Sequence, residues 1–152
     1  MKKVIYKLML VSLMVVLLSE NSYAEAISNK NFGSITVSEV TSIYDGDTFR
    51  ANIAEYPEII GYRMGIRVNG IDTPEMRGKC KQEKALARKA KQFTVAKLRS
   101  AKSIELRNMK RGKYFRIVAD VYVDDENLGE MLIDEKLAVA YDGGHKGKDW
   151  CQ

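Results

Sequence analysis

The strongest constraint on the fold is one long helical segment placed among five short strand-like segments. Between about Lys81 and Ala101 the apolar side chains fall within one broad arc, and lysines and arginines fill the rest of the helix surface. Three runs rich in β-branched and aromatic residues precede this helix, at residues 35–43, 49–53 and 62–71. Two more follow it, at 104–109 and 116–123, and a short second helix is predicted at 128–137.

The sequence also predicts two of the connections between these segments. Asp45-Gly46 between two strand-like runs predicts a hairpin, and residues 55–61, which include Pro57, are expected to be a loop. A closed five-stranded barrel of the oligonucleotide/oligosaccharide-binding (OB) type, with helices, accommodates this order of elements. An open α+β sandwich accommodates it as well, so the pattern alone leaves both architectures open.

The first 24 residues have the pattern of a secretory signal peptide. Lys2, Lys3 and Lys7 precede an apolar run from Leu8 to Leu18, and Ser22-Tyr23-Ala24 provides small residues at the positions that an export peptidase reads. The run is about half of the roughly 20 residues needed to span a bilayer, which disfavours a transmembrane anchor; a buried core helix is the other alternative. We therefore expect a signal peptide at 1–24, a linker at 25–32, a folded domain at 33–152, and a secreted or periplasmic product without stable membrane association.

The two cysteines, Cys80 and Cys151, both lie in the expected mature part. An even number of cysteines in an exported chain favours an internal disulfide, although two free thiols or a link between chains are also possible. Such a bond closes a loop of about 70 residues and stabilises the fold by roughly 4 kcal/mol in the chain-entropy model.

The charge of the chain is moderately basic. Removal of the signal peptide lowers the formal charge from +5 to +3, because it removes three lysines and one glutamate. Seven basic residues lie between Arg77 and Lys91, where they form either a solvated helix face or a rim that attracts a nucleic-acid backbone.

Three short clusters contain residues suited to chemistry. Each also has a purely structural explanation: a hairpin turn for the first, a helix N-cap with proline for the second, and a basic turn with aromatic core residues for the third. Arg67 and Asp72 would face opposite sides of a regular strand, so they converge only if the strand ends or bulges near Gly70. The clusters are Asp45-Gly46-Asp47-Thr48, the segment from Arg67 to Asp72-Thr73-Pro74-Glu75, and Lys113-Tyr114-Phe115-Arg116.

Taken together and in this order, the clusters resemble the staphylococcal nuclease (thermonuclease) family, over about residues 34–142. The resemblance implies a five-stranded OB barrel and a Ca²⁺-dependent endonuclease that hydrolyses DNA and RNA to 3′-phosphate and 5′-hydroxyl ends, and we expect a monomer. It implies Asp47, Asp72 and the Thr73 carbonyl as calcium ligands, Glu75 as general base, Arg67 and Arg116 as phosphate-binding catalytic residues, and Tyr114 and Tyr141 as nucleotide contacts.

The chain also departs from the family. Phe115 stands where some members have glycine, so we expect a changed turn before Arg116. The chain is too short for the C-terminal helix of the best-known member, and we expect a Cys80–Cys151 bond to tie the tail beside the main helix instead. The alternative function is a nuclease-like module that binds nucleic acid without cutting it; such modules usually lose an acidic ligand or an arginine, and none is missing here.

Overall fold

The computed structural model describes residues 30–152, so the expected signal peptide and most of the expected linker lie outside the described residues. The strands are β1 (Ile35–Thr36), β2 (Glu39–Ile43), β3 (Thr48–Asn52), β4 (Met64–Val68), β5 (Ile71–Asp72), β6 (Ile104–Arg111), β7 (Ile117–Val123), β8 (Glu126–Asn127) and β9 (Val139–Ala140). The helices are α1 (Glu58–Gly61), α2 (Lys81–Ser100) and α3 (Leu128–Asp134), with a 3-10 turn at Lys113–Phe115.

The main sheet is strongly curled and mixed, with the strand order β1-β6-β7-β4-β3-β2. Neighbouring strands are antiparallel except for β4 and β7, which are parallel. Its two edge strands, β1 and β2, are consecutive parts of one extended segment. Between them, Val37 N–H donates to Ile104 of β6 and Ser38 N–H donates to Asn52 of β3. The segment therefore joins both ends of the sheet, and the expected OB-type barrel with helices is confirmed.

The interior of the barrel follows from the period of two along its strands. In β7, Ile117, Ala119, Val121 and Val123 are buried and alternate with half-buried residues. The same alternation in β4 buries Met64, Ile66 and Val68 and turns Gly65 and Arg67 to the outer face. Arg67 is therefore held on a rigid strand whose opposite face is anchored in the core.

Helix α2 packs against the β2–β3 hairpin and fixes the loop between these strands. It buries Ala90 and Thr94, and the Thr94 hydroxyl donates to the Gly46 carbonyl at 2.7 Å. A Cβ at Gly46 would lie 2.8 Å from the Ala90 Cβ and 2.9 Å from the Thr73 Cγ2. Gly46 does not have a positive φ; the predicted hairpin is confirmed, but the glycine is required here because the loop approaches α2 and Thr73 closely.

Several segments differ from the sequence-based expectation. The run at 35–43 forms two strands, β1 and β2, and the strand expected at 104–109 continues to Arg111. The loop at 55–61 contains the one-turn helix α1, which begins after Pro57. The strand expected at 62–71 is divided, because it ends at Val68 and Gly70 adopts a φ of +76° before β5. The helix expected at 128–137 ends at Asp134. In addition, no helix within residues 30–152 is long and apolar enough to cross a membrane.

The C-terminal tail is joined to the start of α2 by a disulfide. Cys80 and Cys151 are bonded, with their Cα atoms 5.9 Å apart, as expected from the sequence. Cys80 is also the N-cap residue of α2, where its Sγ accepts the N–H of Glu83 at 3.3 Å. Trp150, next to Cys151 in the chain, is buried. The tail thus lies near the segment that links β5 to α2, where the expected catalytic residues are found.

Candidate active site

A buried carboxylate at the end of the β2–β3 loop forms the centre of the site. Asp47 is only 1% exposed, and its two oxygens accept four hydrogen bonds. Oδ1 accepts the Thr48 hydroxyl at 2.9 Å and the Arg67 Nη1 at 2.5 Å. Oδ2 accepts the N–H and the hydroxyl of Thr73 at 3.1 and 3.0 Å. Asp47 therefore connects β3, β4 and the segment after β5.

Arg67 connects the two buried aspartates of the site. Its Nη1 contacts Asp47, and its Nη2 lies 3.4 Å from Oδ1 of Asp72, which is 3% exposed. This convergence depends on the turn at Gly70, because the end of β4 and the positive φ of Gly70 reverse the side-chain parity that a continuous strand would impose. The helix N-cap alternative for Asp72 is wrong, since α2 begins only at Lys81 and its N-cap is Cys80.

A third carboxyl group adds to the charge of this loop. Asp45 is buried, and its Oδ1 accepts the Asp47 N–H at 3.1 Å. Burial and the negative charge of Asp47 raise the pKa of Asp45 to about 7. The protein interior around Asp45 therefore disfavours its ionised form.

Glu75 lies at the rim of the site on the segment that links β5 to α2. Its side chain is half exposed, while its backbone is held by Glu83 of α2. The Glu83 carboxylate accepts the N–H of Glu75 at 3.3 Å and the N–H of Lys79 at 2.7 Å. A Cβ at Gly78 would lie 2.2 Å from the carboxylate carbon of Glu83, so any side chain there would displace this carboxylate. Glu83 thus positions Glu75 through its backbone and leaves the Glu75 side chain at the rim.

Lys146, from the tail, contacts both the cluster and its rim. Its Nζ lies 2.8 Å from Oδ1 of Asp72 and 2.5 Å from Oε1 of Glu75. Burial opposes the charged form of the ammonium, but the hydrogen bonds to Asp72 and Glu75 outweigh it and raise the pKa of Lys146 to about 12. Asp47, Arg67, Asp72, Glu75 and Lys146 therefore form one continuous ionic network.

Arg116 lies in a neighbouring cleft of about 600 Å³ that does not include this network. Its side chain packs on Gly65 of the adjacent strand, and its Nε is buried without a hydrogen-bond partner among the described residues. Thr48 lines the cleft as well and connects it to Asp47. Four basic and five aromatic side chains border the cleft, and no carboxylate of the described residues does: Arg50, Arg63, Lys91 and Arg116, with Tyr44, Phe49, Tyr62, Tyr114 and Phe115.

The turn before Arg116 has an unusual backbone. Tyr114 and Phe115 both have positive φ values, 58° and 57°, a region that favours glycine. The Phe115 ring is 4.4 Å from the guanidinium of Arg111, and the Tyr114 ring lies 5.8 Å from that of Arg116. Tyr114 itself is 90% exposed, so it is available to a ligand in the cleft.

Tyr141 lies on the other side of the network. It borders a second depression together with Asp72 and Lys146, and its hydroxyl donates to the Gly144 carbonyl at 2.7 Å. Its backbone N–H donates to Gly70 at 2.9 Å, which extends the pairing of β9 with β5. Tyr141 and Tyr114 are therefore placed in different depressions.

The acidic cluster fits a hard cation in its donor chemistry. Asp47 and Asp72 offer only carboxylate oxygens, and the buried carboxyl group of Asp45 lies in the same loop as Asp47. Both oxygens of Asp47 already accept two hydrogen bonds each, so a bound cation would replace one of the present donors. Thr73 is anchored to Asp47 through its N–H and hydroxyl, which keeps its backbone beside the cluster.

A second group of possible ligand atoms does not fit a metal. Cys80, Glu83 and Cys151 lie close together. The two sulfurs are bonded to each other, so neither is the thiolate that metals require. The Glu83 carboxylate is occupied by two backbone N–H groups. We therefore assign this group to the anchoring of the tail.

The sequence reasoning missed Lys146 and Glu83. Lys146 lies in a glycine-rich tail without periodicity, but one signal was available. The expected Cys80–Cys151 bond places the residues before Cys151 next to the segment between Asp72 and Cys80. Glu83 resembled any acidic residue in the first turn of a helix, where it favours the helix dipole. Only the structure shows that its carboxylate points back towards Glu75.

The fold and the site together define a class of protein, a small OB-type barrel with an arginine-linked acidic cluster beside a basic, aromatic cleft. The family described as staphylococcal nuclease homologue matches residues 65–149, which is more than half of the chain. This chain therefore belongs to the staphylococcal nuclease homologue family. The matched range includes Arg67, Asp72, Thr73, Glu75, Tyr114, Arg116 and Tyr141, whereas Asp47 precedes it.

A curated relative supports the same assignment. A probable endonuclease of Schizosaccharomyces pombe (strain 972 / ATCC 24843) is 30% identical over 127 residues, which cover 68% of this chain and 55% of the relative. The chain thus spans about half the length of the relative that it matches. The family and this relative support nuclease activity at the level of the family.

Proposed function

We propose that this chain is an exported, Ca²⁺-dependent endonuclease that hydrolyses phosphodiester bonds in DNA and RNA and leaves 3′-phosphate and 5′-hydroxyl ends. The observation that carries the proposal is the Arg67 guanidinium, which links the buried Asp47 and Asp72 at the edge of an OB-type barrel. An arginine and two carboxylates in this arrangement suit a phosphate that must be bound and activated in one place.

The two arginines would bind the phosphate oxygens. Arg67 is held on β4 by the core residues on either side of it, so its guanidinium is oriented before substrate arrives. Arg116 has a buried Nε without a hydrogen-bond partner among residues 30–152, and a phosphate oxygen would supply an acceptor. Their planar donors match the charge that accumulates on the equatorial oxygens of a five-coordinate phosphorus.

Glu75 would take the proton of the attacking water. Its side chain is 52% exposed, so water reaches it, and its backbone is fixed by Glu83. A carboxylate near a bound phosphate is a suitable general base when it can approach the water within hydrogen-bond distance. Glu75 is the acidic residue of the network that meets both conditions, because Asp47 and Asp72 are buried.

Asp47, Asp72 and the Thr73 carbonyl would hold the calcium ion. When bound, the ion would supply Lewis-acid polarisation of the scissile phosphate. The side chains of Asp47 and Asp72 offer only oxygen donors, which supports this choice of cation over a softer metal.

The cleft beside Arg116 supports nucleic acid as the substrate class. It combines four cations with exposed tyrosines, including Tyr44, Tyr62 and Tyr114, and the described residues that line it include no acidic one. Aromatic stacking tolerates every base, and basic side chains follow the backbone, so this cleft suits a non-specific enzyme. We further propose that Tyr141 contacts the nucleotide, that the protein acts as a monomer, and that it functions in the periplasm or outside the cell after cleavage of residues 1–24.

The test is digestion of single-stranded DNA by residues 25–152 with Ca²⁺, with excess chelator, and by the Glu75→Gln variant. We expect cutting that requires Ca²⁺ and that falls in the variant by on the order of 10²–10⁴-fold, the usual contribution of a general base. Glu130→Gln is a matched control, because Glu130 lies in the first turn of α3 and not in the network.

Undigested DNA in every reaction, with folded protein that still retards DNA on a gel, would contradict the nuclease proposal. It would favour the binding-module alternative and direct attention to the Phe115 turn that carries Arg116. Cutting that persists in chelator would contradict the calcium dependence alone.

A further inference from the structure

The C-terminal tail brings a positive charge to the two carboxylates that the proposed function assigns to metal binding and catalysis. The Lys146 ammonium lies between Asp72 Oδ1 and Glu75 Oε1, at 2.8 and 2.5 Å. Both distances are short enough for a charge-assisted hydrogen bond, and the carboxylate of Asp72 is buried. Lys146 is therefore a component of the site, although it is remote from the other components in sequence.

The loop that carries Lys146 is anchored at both ends. On one side, β9 pairs with β5, and the register places Val139 opposite Asp72. On the other side, Cys151 is bonded to Cys80, and the Gln82 side chain donates to the Gln152 carbonyl at 3.2 Å. Two fixed ends limit the conformations of the loop, which lowers the entropic cost of holding the ammonium in place.

An ammonium and a divalent cation compete for the negative charge of the same carboxylate. Both require the lone pairs of Asp72, and two positive charges at such short distance repel each other strongly when water is partly excluded. A calcium ion bound to Asp72 would therefore be repelled by the Lys146 ammonium on Oδ1 of the same carboxylate, and this repulsion lowers the apparent affinity for calcium.

We propose that Lys146 is a tethered cation that competes with Ca²⁺ for the Asp72 carboxylate, and that the Cys80–Cys151 bond keeps it there. This inference rests on the proposed calcium site. If Lys146 competes in this way, the tail determines the calcium concentration at which the site is half occupied. Opening of the disulfide releases the tail and lowers that concentration.

The test is calorimetric titration of Ca²⁺ into the disulfide-bonded protein, into Lys146→Met and into Lys148→Met. We expect Lys146→Met to bind Ca²⁺ about tenfold more tightly, because it removes the competing charge and keeps an unbranched side chain. Lys148→Met changes the net charge by the same amount as Lys146→Met. Lys148 is an exposed lysine of the tail, near the Trp150 ring. We expect less than about a twofold effect there, since exposed charges are screened by salt.

A second pair of variants tests the tether. Cys80→Ser/Cys151→Ser should raise the calcium affinity in the same direction as Lys146→Met. Addition of Lys146→Met to this double variant should give little further gain, because both changes remove the same contact. If the combined variant gains calcium affinity by the product of the two separate effects, the disulfide does not act by holding Lys146 in place. Circular dichroism checks that each variant is folded.

The remaining outcomes separate this inference from the proposed function. Equal or weaker calcium binding by Lys146→Met, with clear binding by the unaltered protein, would overturn the competition and leave the calcium site intact. No binding heat with any variant, including Lys146→Gln, would overturn both the calcium dependence and the competition.

Discussion

At the scale of single residues, the acidic loop between β2 and β3 is defined by charges that the protein only partly neutralises. Asp47 is balanced by Arg67 and by three neutral donors. Asp45, by contrast, accepts its hydrogen bond from the backbone of Asp47, whose own side chain is negatively charged. Burial and repulsion from Asp47 therefore raise the pKa of Asp45 and keep its proton bound to higher pH than usual. A cation bound beside this loop would offset the repulsion between Asp45 and Asp47.

The raised pKa of Asp45 predicts a pH-dependent effect of Asp45→Asn. The pKa of Asp45 is about 7 in the folded protein against an ordinary value of 3.8, so its contribution to stability is complete below about pH 4 and is lost as the pH rises through 7. The neutral asparagine side chain keeps the acceptor for the Asp47 N–H without this loss. In chelator, the melting temperature of the variant relative to the unaltered protein should therefore increase between about pH 4 and pH 8.

A matched control exists for this measurement. Asp142 accepts the N–H of Gly144 at 3.0 Å, in the same two-residue geometry, but its side chain is exposed. Asp142→Asn should show no comparable rise in relative stability over the same pH range. A flat profile for Asp45→Asn would mean that the loop is solvated more fully than its burial indicates.

At the scale of elements, the contact between α2 and the β2–β3 loop holds the acidic cluster in position. The contact depends on Gly46, which approaches Ala90 and Thr73, and on the hydrogen bond from Thr94 to the Gly46 carbonyl. Because Thr73 also binds Asp47 directly, a displacement of the loop moves the cluster and the segment after β5 together.

Gly46→Ala should therefore weaken both stability and metal binding. The new methyl group would lie 2.8 Å from the Ala90 Cβ and 2.9 Å from the Thr73 Cγ2. Ala90 has no other rotamer, and rotation of Thr73 would break the hydrogen bond from its hydroxyl to Asp47. We expect a loss of about 1–3 kcal/mol in the free energy of unfolding, measured by urea denaturation. Gly147→Ala is the control, since a Cβ added at that position would meet no atom within 4 Å. An equal loss of stability in this variant would show that the contacts of Gly46 are not the cause.

The elements themselves were largely predictable, and the contacts between them were not. The helix at 81–100 and the strands of the barrel follow from local periodicity, which depends on side chains close in sequence. The break at Gly70 was recognisable as a requirement for Arg67 to meet Asp72. The contacts of the Glu83 carboxylate and the Lys146 ammonium were not predictable, because their partners depend on how separate segments pack.

At the scale of the whole molecule, the disulfide links the last residues of the chain to the start of the main helix. It closes a loop of 71 residues, which corresponds to about 4 kcal/mol of stabilisation in the chain-entropy model. Reduction should therefore lower the melting temperature by more than about 5 °C. Scanning calorimetry with and without reductant measures this, and Cys80→Ser/Cys151→Ser should show no further change with reductant. An unchanged melting temperature on reduction would mean that the tail is held by its other contacts.

The segment that contains β1 and β2 pairs with strands at both ends of the curled sheet. Since β1 pairs with β6 and β2 pairs with β3, residues 35–43 cover both ends of the curled sheet. An uncovered strand edge is a template for pairing with another molecule, and proteins avoid this in several ways. Detachment of this short segment would expose two templates together, so it protects the molecule against strand exchange and fibrillar aggregation. Resistance to aggregation is thus expected to depend on a segment of nine residues that includes none of the proposed catalytic or calcium-binding residues.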